Sequence, residues 1–443
     1  MTEPAFDFVI IGAGPAGESA AHTARGRGAS VAIVDRRWFG GSCPHIGCVP
    51  SKALLHAAAE HHANPAGYDW PRASRRRDYM VNRPETAPEP DDASHVRGLR
   101  DAGAVVYRGT GRIAARGVVE VTHDGESHRL AAREIVIATG SVSRRPPIPG
   151  LEEVGVWTNE QATLARELPR SLLVLGGGPT GCELAQVYAR FGVPTVIVRT
   201  GVRALRARAG AGTDGAHVIE LDDGSTAEGH AILLAVGRAF PIDDLGLEHY
   251  GIDASGRAPF PRDGRLRIAD GLWVIGDPAG PELHTHQGHY QGELAVRMAL
   301  GEPIVPDYRA LPRATYTDPE AAFVGLSLDG AREAGFDAFE LVADFATSAK
   351  GYAVQAALGH VTIVVDRASR ELVGAAMACP DASAAIHECV LAIRARVKVD
   401  VLAETIHAFP STSRILNGLF ADARRELAKT PAVAAPPATD PGA

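Results

Sequence analysis

The chain has 443 residues, 45 % hydrophobic and 22 % charged, enough for two or three soluble globular domains. A formal net charge of −8 excludes a basic nucleic-acid-binding surface, and the Arg runs (Arg75 to Arg77; Arg203, Arg206, Arg208) are too short to alter that. No apolar run approaches the ~20 residues of a membrane helix, and the start lacks a secretory signal, so the expected location is cytoplasmic with no membrane partner.

The first predicted element is a β-branched and aromatic strand, Phe6 to Ile11, followed at once by Gly12-Ala13-Gly14-Pro15-Ala16-Gly17. A small-residue helix and a second strand, Ser30 to Val34, lead to Asp35 and Arg36. Strand, glycine turn, helix, strand and acid form the order a dinucleotide fingerprint requires, with Asp35 placed 23 positions after Gly12. Gly12 permits the tight turn, Gly14 lets backbone approach a pyrophosphate, and Gly17 lets the helix pack close to the strand. The helix N-terminus adds partial positive charge. Asp35 is placed to accept hydrogen bonds from a ribose.

The next segment runs Gly40-Gly41-Ser42-Cys43-Pro44-His45-Ile46-Gly47-Cys48-Val49-Pro50-Ser51-Lys52 and opens a helix through Ala53 to His62. Residues 65–95 are rich in Pro, Arg and acids and read as an exposed connection. Strands are predicted at Ala104 to Tyr107, Val118 to Thr122 and Glu134 to Ile137, with Asp124-Gly125 as the hairpin turn between the last two. They end in Ala138-Thr139-Gly140, and the Pro-rich linker Arg145 to Gly150 marks a domain boundary. A second fingerprint follows: strand Leu172 to Leu175, Gly176-Gly177-Gly178-Pro179-Thr180-Gly181-Cys182-Glu183 opening a helix, and strand Val193 to Val198. Two fingerprints imply two dinucleotides, one tightly held and one exchangeable. Leu272 to Asp277 and a helix from about Gln287 to Leu300 come next. From Pro306 the pattern changes to alternating strands and helices of a third domain, ending near Ala428 in a Pro/Ala-rich tail expected to be disordered.

Five cysteines do not make a disulfide framework in a chain of this length. Cys182, Cys379 and Cys389 lie in apolar or small-residue surroundings and are expected to be buried. Cys43 and Cys48 are separated by four residues, a spacing that brings two Cβ atoms within disulfide range in a turn feeding a helix. A thiol near a helix N-terminus, with Lys52 on the first turn, ionises readily, and the thiolate is the reactive form. The alternatives are a zinc half-site or two free thiols. Zinc needs two more ligands at matched spacing, no second CxxC or HxxxH appears, and no metal is expected.

GGSCPHIGCVPSK resembles the active-site segment of the class I pyridine nucleotide-disulfide oxidoreductases, which include dihydrolipoamide dehydrogenase, glutathione reductase and mercuric reductase. The resemblance extends over nearly the whole chain through GAGPAG, the Ala138-Thr139-Gly140 segment, GGGPTGCE, Ile275-Gly276-Asp277, THQGHYQ at 285 to 291, and TDPEAAFVGL. It implies a fold of two Rossmann-like α/β dinucleotide-binding domains plus a C-terminal α/β dimerisation domain. FAD would be held by residues 1–150 and 272–304, NAD(P)H by 151–271, and 305–430 would form the homodimer interface, with 431–443 as the tail. Cys48 would be the thiol beside the flavin, Cys43 the interchange thiol, and Lys52 the residue near flavin N5 that pairs with Glu183. The FAD cradle would comprise Gly12, Gly14, Pro15, Ala16, Gly17, Asp35, Arg36, Gly41, Ser42, Lys52, the Ala138 to Gly140 segment, Gly276, Asp277, His284, Thr285 and His286. Asp277 would bind the ribityl chain, and a helix N-terminus at Thr285 would face the flavin pyrimidine edge. The nicotinamide dinucleotide would lie on Gly176, Gly178, Gly181, Arg199 and Gly237.

The sequence departs from that family in two places. The C-terminal signature, roughly HxHPTxSE in relatives, reads His407-Ala408-Phe409-Pro410-Ser411-Thr412-Ser413-Arg414 here. Phe409 replaces the acid/base histidine and Arg414 its supporting Glu, and loss of a general base typically costs ~10²–10⁴ in rate. His407 is the candidate replacement, with a hydrogen-bonded structural role as the competing reading, and Arg414 is available to an anionic substrate group. Second, only 63 residues run from Gly176 to Arg238 inclusive, too few for a full βαβαβ half with its hairpin. The second nucleotide-binding sheet is therefore expected to be truncated on one side. Arg199, Arg203 and Arg206 favour the 2′-phosphate of NADPH over NADH.

The expected function is electron transfer from NAD(P)H through FAD and a Cys43–Cys48 redox disulfide to a small-molecule acceptor: a disulfide, a metal ion or a quinone. The alternatives are a dithiol oxidase using FAD and O₂ without nicotinamide, and a catalytically silent flavin-binding dimer that senses redox state.

Overall fold

The computed structural model describes residues 4–83, 87, 89–198, 201–254, 260, 265–280 and 282–429. They form two compact units whose sequence boundary is Pro306/Asp307. Arg199 and the tail at 431–443 lie outside the described residues.

The first unit opens with β1 (Ala5–Ile11), α1 (Pro15–Gly26) and β2 (Val31–Asp35). Phe8 to Ile11 and Val31 to Val34 are buried on both faces, as strands inside a parallel sheet must be. Four short to medium helices follow, α2 (Ser42–His45), α3 (Cys48–Ala63), α4 (Trp70–Asn82) and α5 (Ala93–Asp101). Then come β3 (Val105–Arg108), β4 (Thr110–Ala115), β5 (Val118–His123), β6 (Glu126–Ile137) and β7 (Val142–Ser143). The Asp124-Gly125 turn joins β5 to β6, both residues having positive φ (47° and 84°).

Helix α4 corrects the reading of 65–95 as an exposed connection. Asp69 caps it by accepting the Arg72 N–H at 2.9 Å, Pro71 stands in its first turn, and Trp70, Ala73, Ser74, Arg77 and Asp78 face inward at helical spacing. Arg77 is fully buried, donates to Asp78 at 2.9 Å and to the carbonyls of Thr163 and Ala165 at 2.9 Å each, and Arg166 donates to the same Asp78 at 2.5 Å. The charge-rich sequence thus conceals an inward ionic cluster.

The unit continues with α6 (Asn159–Leu164), β8 (Leu172–Leu175), α7 (Pro179–Arg190), β9 (Thr195–Val198), β10 (Ala204–Arg208), β11 (His217–Leu221), β12 (Thr226–Gly229), β13 (Ala231–Leu234), β14 (Arg238–Ala239), β15 (Arg267–Ala269), β16 (Leu272–Val274) and α8 (Thr285–Ala299). One sheet runs β15-β16-β6-β1-β2-β3, parallel from β16 to β3, with β5 added antiparallel to β6 and β4 antiparallel to β5. A second parallel sheet is β13-β8-β9, accompanied by the antiparallel meander β10-β11-β12. The ribbon β7-β14 pairs the segments that connect the two nucleotide-binding folds.

Truncation of the second sheet is visible at β9. Five residues, 199–203, separate it from β10, too few for a crossover helix and a further strand. Val196 and Ile197 on β9 are consequently 51 % and 38 % exposed.

The second unit is an antiparallel sheet of β17 (Arg313–Thr315), β18 (Glu320–Gly325), β19 (Ala338–Asp344), β20 (His360–Asp366) and β21 (Leu372–Cys379), in the order β17-β18-β21-β20-β19. Its helices are α9 (Leu328–Glu333), α10 (Ala349–Ala353), α11 (Ala382–Ala395), α12 (Val399–Glu404) and α13 (Ser413–Lys429). The amphipathic α13 buries Leu416, Leu419, Phe420, Ala423 and Leu427 in the core shared with α11 and the sheet. Among the described residues, no helix is long and apolar enough to cross a membrane.

Candidate active site

Both glycine turns have the same geometry, which separates structural glycines from open ones. A Cβ on Gly12 (φ +107°) would lie 2.2 Å from the Ala138 carbonyl oxygen, and one on Gly17 2.0 Å from that of Gly12. In the second turn, Gly176 (φ +110°) would meet Ala235 O at 2.3 Å and Gly181 would meet Gly176 O at 2.0 Å. Gly14 would touch only Gly41 Cα at 3.8 Å, and Gly178 nothing within 4 Å. The fold therefore requires the first and third glycines, whereas the middle one keeps a backbone surface clear beside a helix N-terminus. Pro15 and Ala16 occupy the first turn of α1, and Ala16 packs on Gly288 and Gly292 of α8.

Asp35, at the end of β2, is oriented by two backbone donors: Oδ2 accepts the Ala13 N–H and Oδ1 the Arg37 N–H, both at 2.8 Å. Burial raises its pKa above the ordinary carboxylate value despite those donors. Arg36 is exposed beside it. Asp277 accepts the Ser141 hydroxyl and lies 3.8 Å from Arg238 Nε, which itself donates to Ser141 Oγ at 2.5 Å. Gln291 accepts the Gly276 N–H at 2.8 Å and, with Gln287, donates to Gly280 O at 2.7 and 2.6 Å, locking the Asp277 turn. Gly237 (φ +113°) stands open between β13 and β14, and its carbonyl accepts the Arg144 N–H at 3.0 Å.

The cysteine loop is built on Gly41, whose φ of +69° favours glycine and whose added Cβ would lie 2.6 Å from Gly14 Cα. Backbone of the glycine turn thus abuts backbone of the redox loop. Ser42 and Cys43 lie on α2 and Cys48 opens α3. The loop carbonyl of Ile46 accepts from Asn159 Nδ2 at 2.9 Å and Thr163 Oγ1 at 3.1 Å, both on α6. Cys43 and Cys48 are free thiols in hydrogen-bonding contact, and Cys48 Sγ lies 3.4 Å from Thr285 Oγ1 at the start of α8. The two sulfurs are strongly unlike. The hydrogen bond from Cys43, then those of Thr285 and the charge of Lys52, lower Cys48 to about 6 against the opposing effect of burial. The same bond to Cys48, with burial, raises Cys43 far above the usual thiol range. Lys52 donates to Glu183 on α7 at 2.7 Å, joining the redox helix to the helix of the second glycine turn. The His284 and His286 rings stack with centroids 4.9 Å apart.

Sequence reasoning missed Ser141, Asn159, Thr163, Arg238, Gln287 and Gln291 as supports of this site; only the Thr158/Gln161 capping box before α6 left a local signal. Cys182 is a correction: it is partly exposed, its thiol donating to Gly177 O at 3.3 Å, because the first turn of α7 faces the open glycine turn. Cys379 and Cys389 are buried. In the second unit, His407 engages both ring nitrogens, Nε2 with Glu388 at 2.7 Å and Nδ1 with the Thr405 carbonyl at 2.9 Å. Phe409 is 73 % exposed, and Arg414 donates to Asn417.

The residues fit FAD. Gly14 and Gly41 present bare backbone, Asp35 is oriented at the strand end, and the Thr139 hydroxyl is buried without a partner in the Ala138-Thr139-Gly140 segment. Among the described residues, no group of three His, Cys, Asp or Glu side chains is arranged to hold a metal ion.

Two glycine-turn nucleotide folds converging on an asymmetric cysteine pair define a dinucleotide-dependent redox enzyme. Residues 6–210 match the pyridine nucleotide-disulphide oxidoreductase family, and residues 311–418 match its dimerisation domain. Dihydrolipoyl dehydrogenase 2 of Haloarcula marismortui is 30 % identical, the match covering 96 % of this chain and 98 % of that protein. Dihydrolipoyl dehydrogenase of Chlorobaculum tepidum is 31 % identical over 95 % of this chain and 98 % of its own. Among solved structures, the Cu(II) complex of the HOCl-induced flavoprotein disulfide reductase RclA from Escherichia coli matches with a TM-score of 0.83 at 25 % identity, over 95 % of this chain and 99 % of that one. The chain belongs to the pyridine nucleotide-disulphide oxidoreductase family and is a flavin-dependent enzyme of the disulfide oxidoreductase type.

Proposed function

We propose that this protein takes electrons from NADPH or NADH and delivers them, through FAD and the Cys43–Cys48 pair, to a small acceptor. The observation that carries this reading is the Lys52–Glu183 ion pair, which ties the helix bearing Cys48 to the helix of the second glycine turn. Bound FAD supplies two-electron transfer between a nicotinamide and the cysteine pair. Gly12 to Gly17, Asp35, Gly41, Ser42, Thr139, Asp277 and the α8 N-terminus would hold it, and Gly176, Gly178, Gly181 and Gly237 would line the nicotinamide side.

Cys48, the sulfur that ionises readily, would face the flavin. Cys43, which keeps its proton, meets the acceptor. With a disulfide acceptor, the Cys43–Cys48 bond forms as the acceptor's S–S bond breaks, and two electrons and the Cys43 proton leave as one thiol and one thiolate. Phe409 carries no proton and His407 is engaged on both nitrogens, which favours acceptors that need little acid catalysis: a metal ion, a quinone or an activated disulfide. The solved relative in a Cu(II) complex is consistent with the first of these. The dimerisation-domain match supports a homodimer. Anaerobic stopped-flow mixing with NADPH and NADH tests the reading. The expected result is bleaching of the flavin followed by long-wavelength absorption from Cys48 thiolate beside oxidised flavin. A flavin that dithionite bleaches and neither nucleotide does would refute it.

The short β9–β10 connection favours a second reading, in which a dithiol substrate passes electrons through the cysteines and FAD to O₂. Hydrogen peroxide formed from a dithiol without added nicotinamide would distinguish it.

A further inference from the structure

Between the two cysteines stands a histidine for which the electron relay above has no use. His45 ends α2 and its ring is completely buried. Nδ1 lies 2.7 Å from the Gly41 carbonyl, so this nitrogen carries a proton and donates it. Nε2 is buried with no hydrogen-bond partner, and the Asp91 carbonyl is a second backbone acceptor beside the ring. A neutral ring protonated at Nδ1 leaves a bare, buried lone pair on Nε2; only the imidazolium carries a donor on both nitrogens.

The other groups around the ring do not take up the same role. His95 lies 5.5 Å away, ring to ring, and is bonded through Nδ1 to Glu18 at 2.9 Å, which favours its charged form. Asp92 is occupied by Arg108 at 2.6 Å and the Phe39 N–H at 2.9 Å. Trp38 covers the ring at 5.4 Å. Burial holds His45 below the usual imidazole range, opposed by the Gly41 and Asp91 carbonyls and Asp92 and reinforced by His95, so it is the neutral group here with room to change.

We propose that His45 takes up a proton when the Cys43–Cys48 disulfide is reduced and so offsets the charge of the Cys48 thiolate. This rests on the pair being redox-active, as proposed above. Breaking the S–S bond with two electrons and one proton leaves a Cys43 thiol and a Cys48 thiolate, adding one negative charge to the loop that carries the buried His45 ring. His45 lies two positions from Cys43 and three from Cys48 in the chain, and an anion held that close favours the imidazolium. Lys52, already cationic and paired with Glu183, has no further proton to accept. The full step is disulfide plus two electrons plus two protons, giving Cys43 thiol, Cys48 thiolate and His45 imidazolium. The electrons come from the reductant.

The test equilibrates the FAD-loaded protein with dithiothreitol redox buffers across about pH 6.5 to 7.5, where dithiothreitol gives up two electrons and two protons. Reduced protein is scored by thiol labelling and by the long-wavelength thiolate–flavin absorption. Two-proton uptake makes the ratio of reduced to oxidised protein independent of pH. Uptake on Cys43 alone raises that ratio tenfold per pH unit. Wild type is expected to be flat, and His45→Asn, which keeps a donor for Gly41 O and cannot titrate, is expected to show the tenfold rise. A tenfold rise in wild type, or a flat profile in the variant, would overturn the proposal. If His45→Asn does not retain flavin, His45→Gln, which likewise offers an amide donor and cannot titrate, takes its place, with the same two outcomes. If dithiothreitol yields no new thiols in wild type, the redox pair itself fails, an outcome separate from either slope.

Discussion

Thr285→Val removes one hydrogen bond from Cys48, the sulfur proposed to face the flavin, together with the Thr285 hydroxyl's bond to Cys43. Thr285 Oγ1 is 3.4 Å from Cys48 Sγ, and valine keeps the β-branched shape while the N-terminus of α8 stays in place. A hydrogen bond to a charged group contributes about 1.5–3 kcal/mol. Cys48 is solvent-exposed and its sulfur is a diffuse acceptor, so the lower end applies. At about 1.4 kcal/mol per tenfold in the ionisation constant, Cys48 is expected to move from about 6 to about 7. The sign is fixed by which form the bond favours: the hydroxyl donates to the thiolate, so its loss disfavours ionisation. The assay is the long-wavelength thiolate–flavin absorption of dithiothreitol-reduced protein followed against pH. The band should fade on acidification with its midpoint displaced upward in the variant. A midpoint within a few tenths of wild type would refute the assignment of Thr285 as a donor to Cys48.

Gly14→Ala adds a methyl whose nearest neighbour is Gly41 Cα at 3.8 Å, so the fold should be unaffected by circular dichroism while flavin retained through purification falls sharply; full flavin content would place the pyrophosphate elsewhere. Gly178→Ala meets nothing within 4 Å and should leave flavin content intact while raising the nucleotide concentration needed for half-maximal reduction in stopped flow; an unchanged dependence would remove the second turn from nicotinamide binding. Asp78→Ala strands the fully buried Arg77 without its carboxylate and should cost at least about 3 kcal/mol in urea unfolding. Since Arg77 also donates to Thr163 and Ala165 at the end of α6, flavin and thiolate spectra should change in folded Asp78→Ala protein, and a loss below about 1 kcal/mol with unaltered spectra would contradict this account.

What the sequence made legible are features set by local chain chemistry. The glycine turns announce themselves because positive φ and contacts near 2 Å to a carbonyl exclude any other residue at Gly12 and Gly176. The deletion after β9 was legible by counting, since a crossover helix needs residues that the chain does not have. Helix α4 was not, because its outward Arg72, Arg75 and Arg76 dominate the composition, while the inward pairing of Arg77 with Asp78 depends on a helix packed elsewhere in the fold. The supports of the site were illegible for the same reason. Asn159 and Thr163 reach Ile46 across 113 and 117 positions, and Arg238 reaches Ser141 across 97. Their meaning exists only after folding.

The position of the deletion limits what it affects. The missing strand would have lain beyond β9, at the far edge of the β13-β8-β9 sheet. Glu183 lies on α7, which follows β8 at the centre of that sheet, and its bond to Lys52 is intact. A loss at the sheet edge removes wall from a dinucleotide bound over the glycine turn without moving the groups near the cysteines. On the proposed reading, binding of the nucleotide and transfer from it are thus carried by different parts of the fold. The shortened domain therefore bears on how tightly an electron donor is held, whereas the ionisation of Cys48 is fixed by Cys43, Thr285 and Lys52, none of which depends on β9.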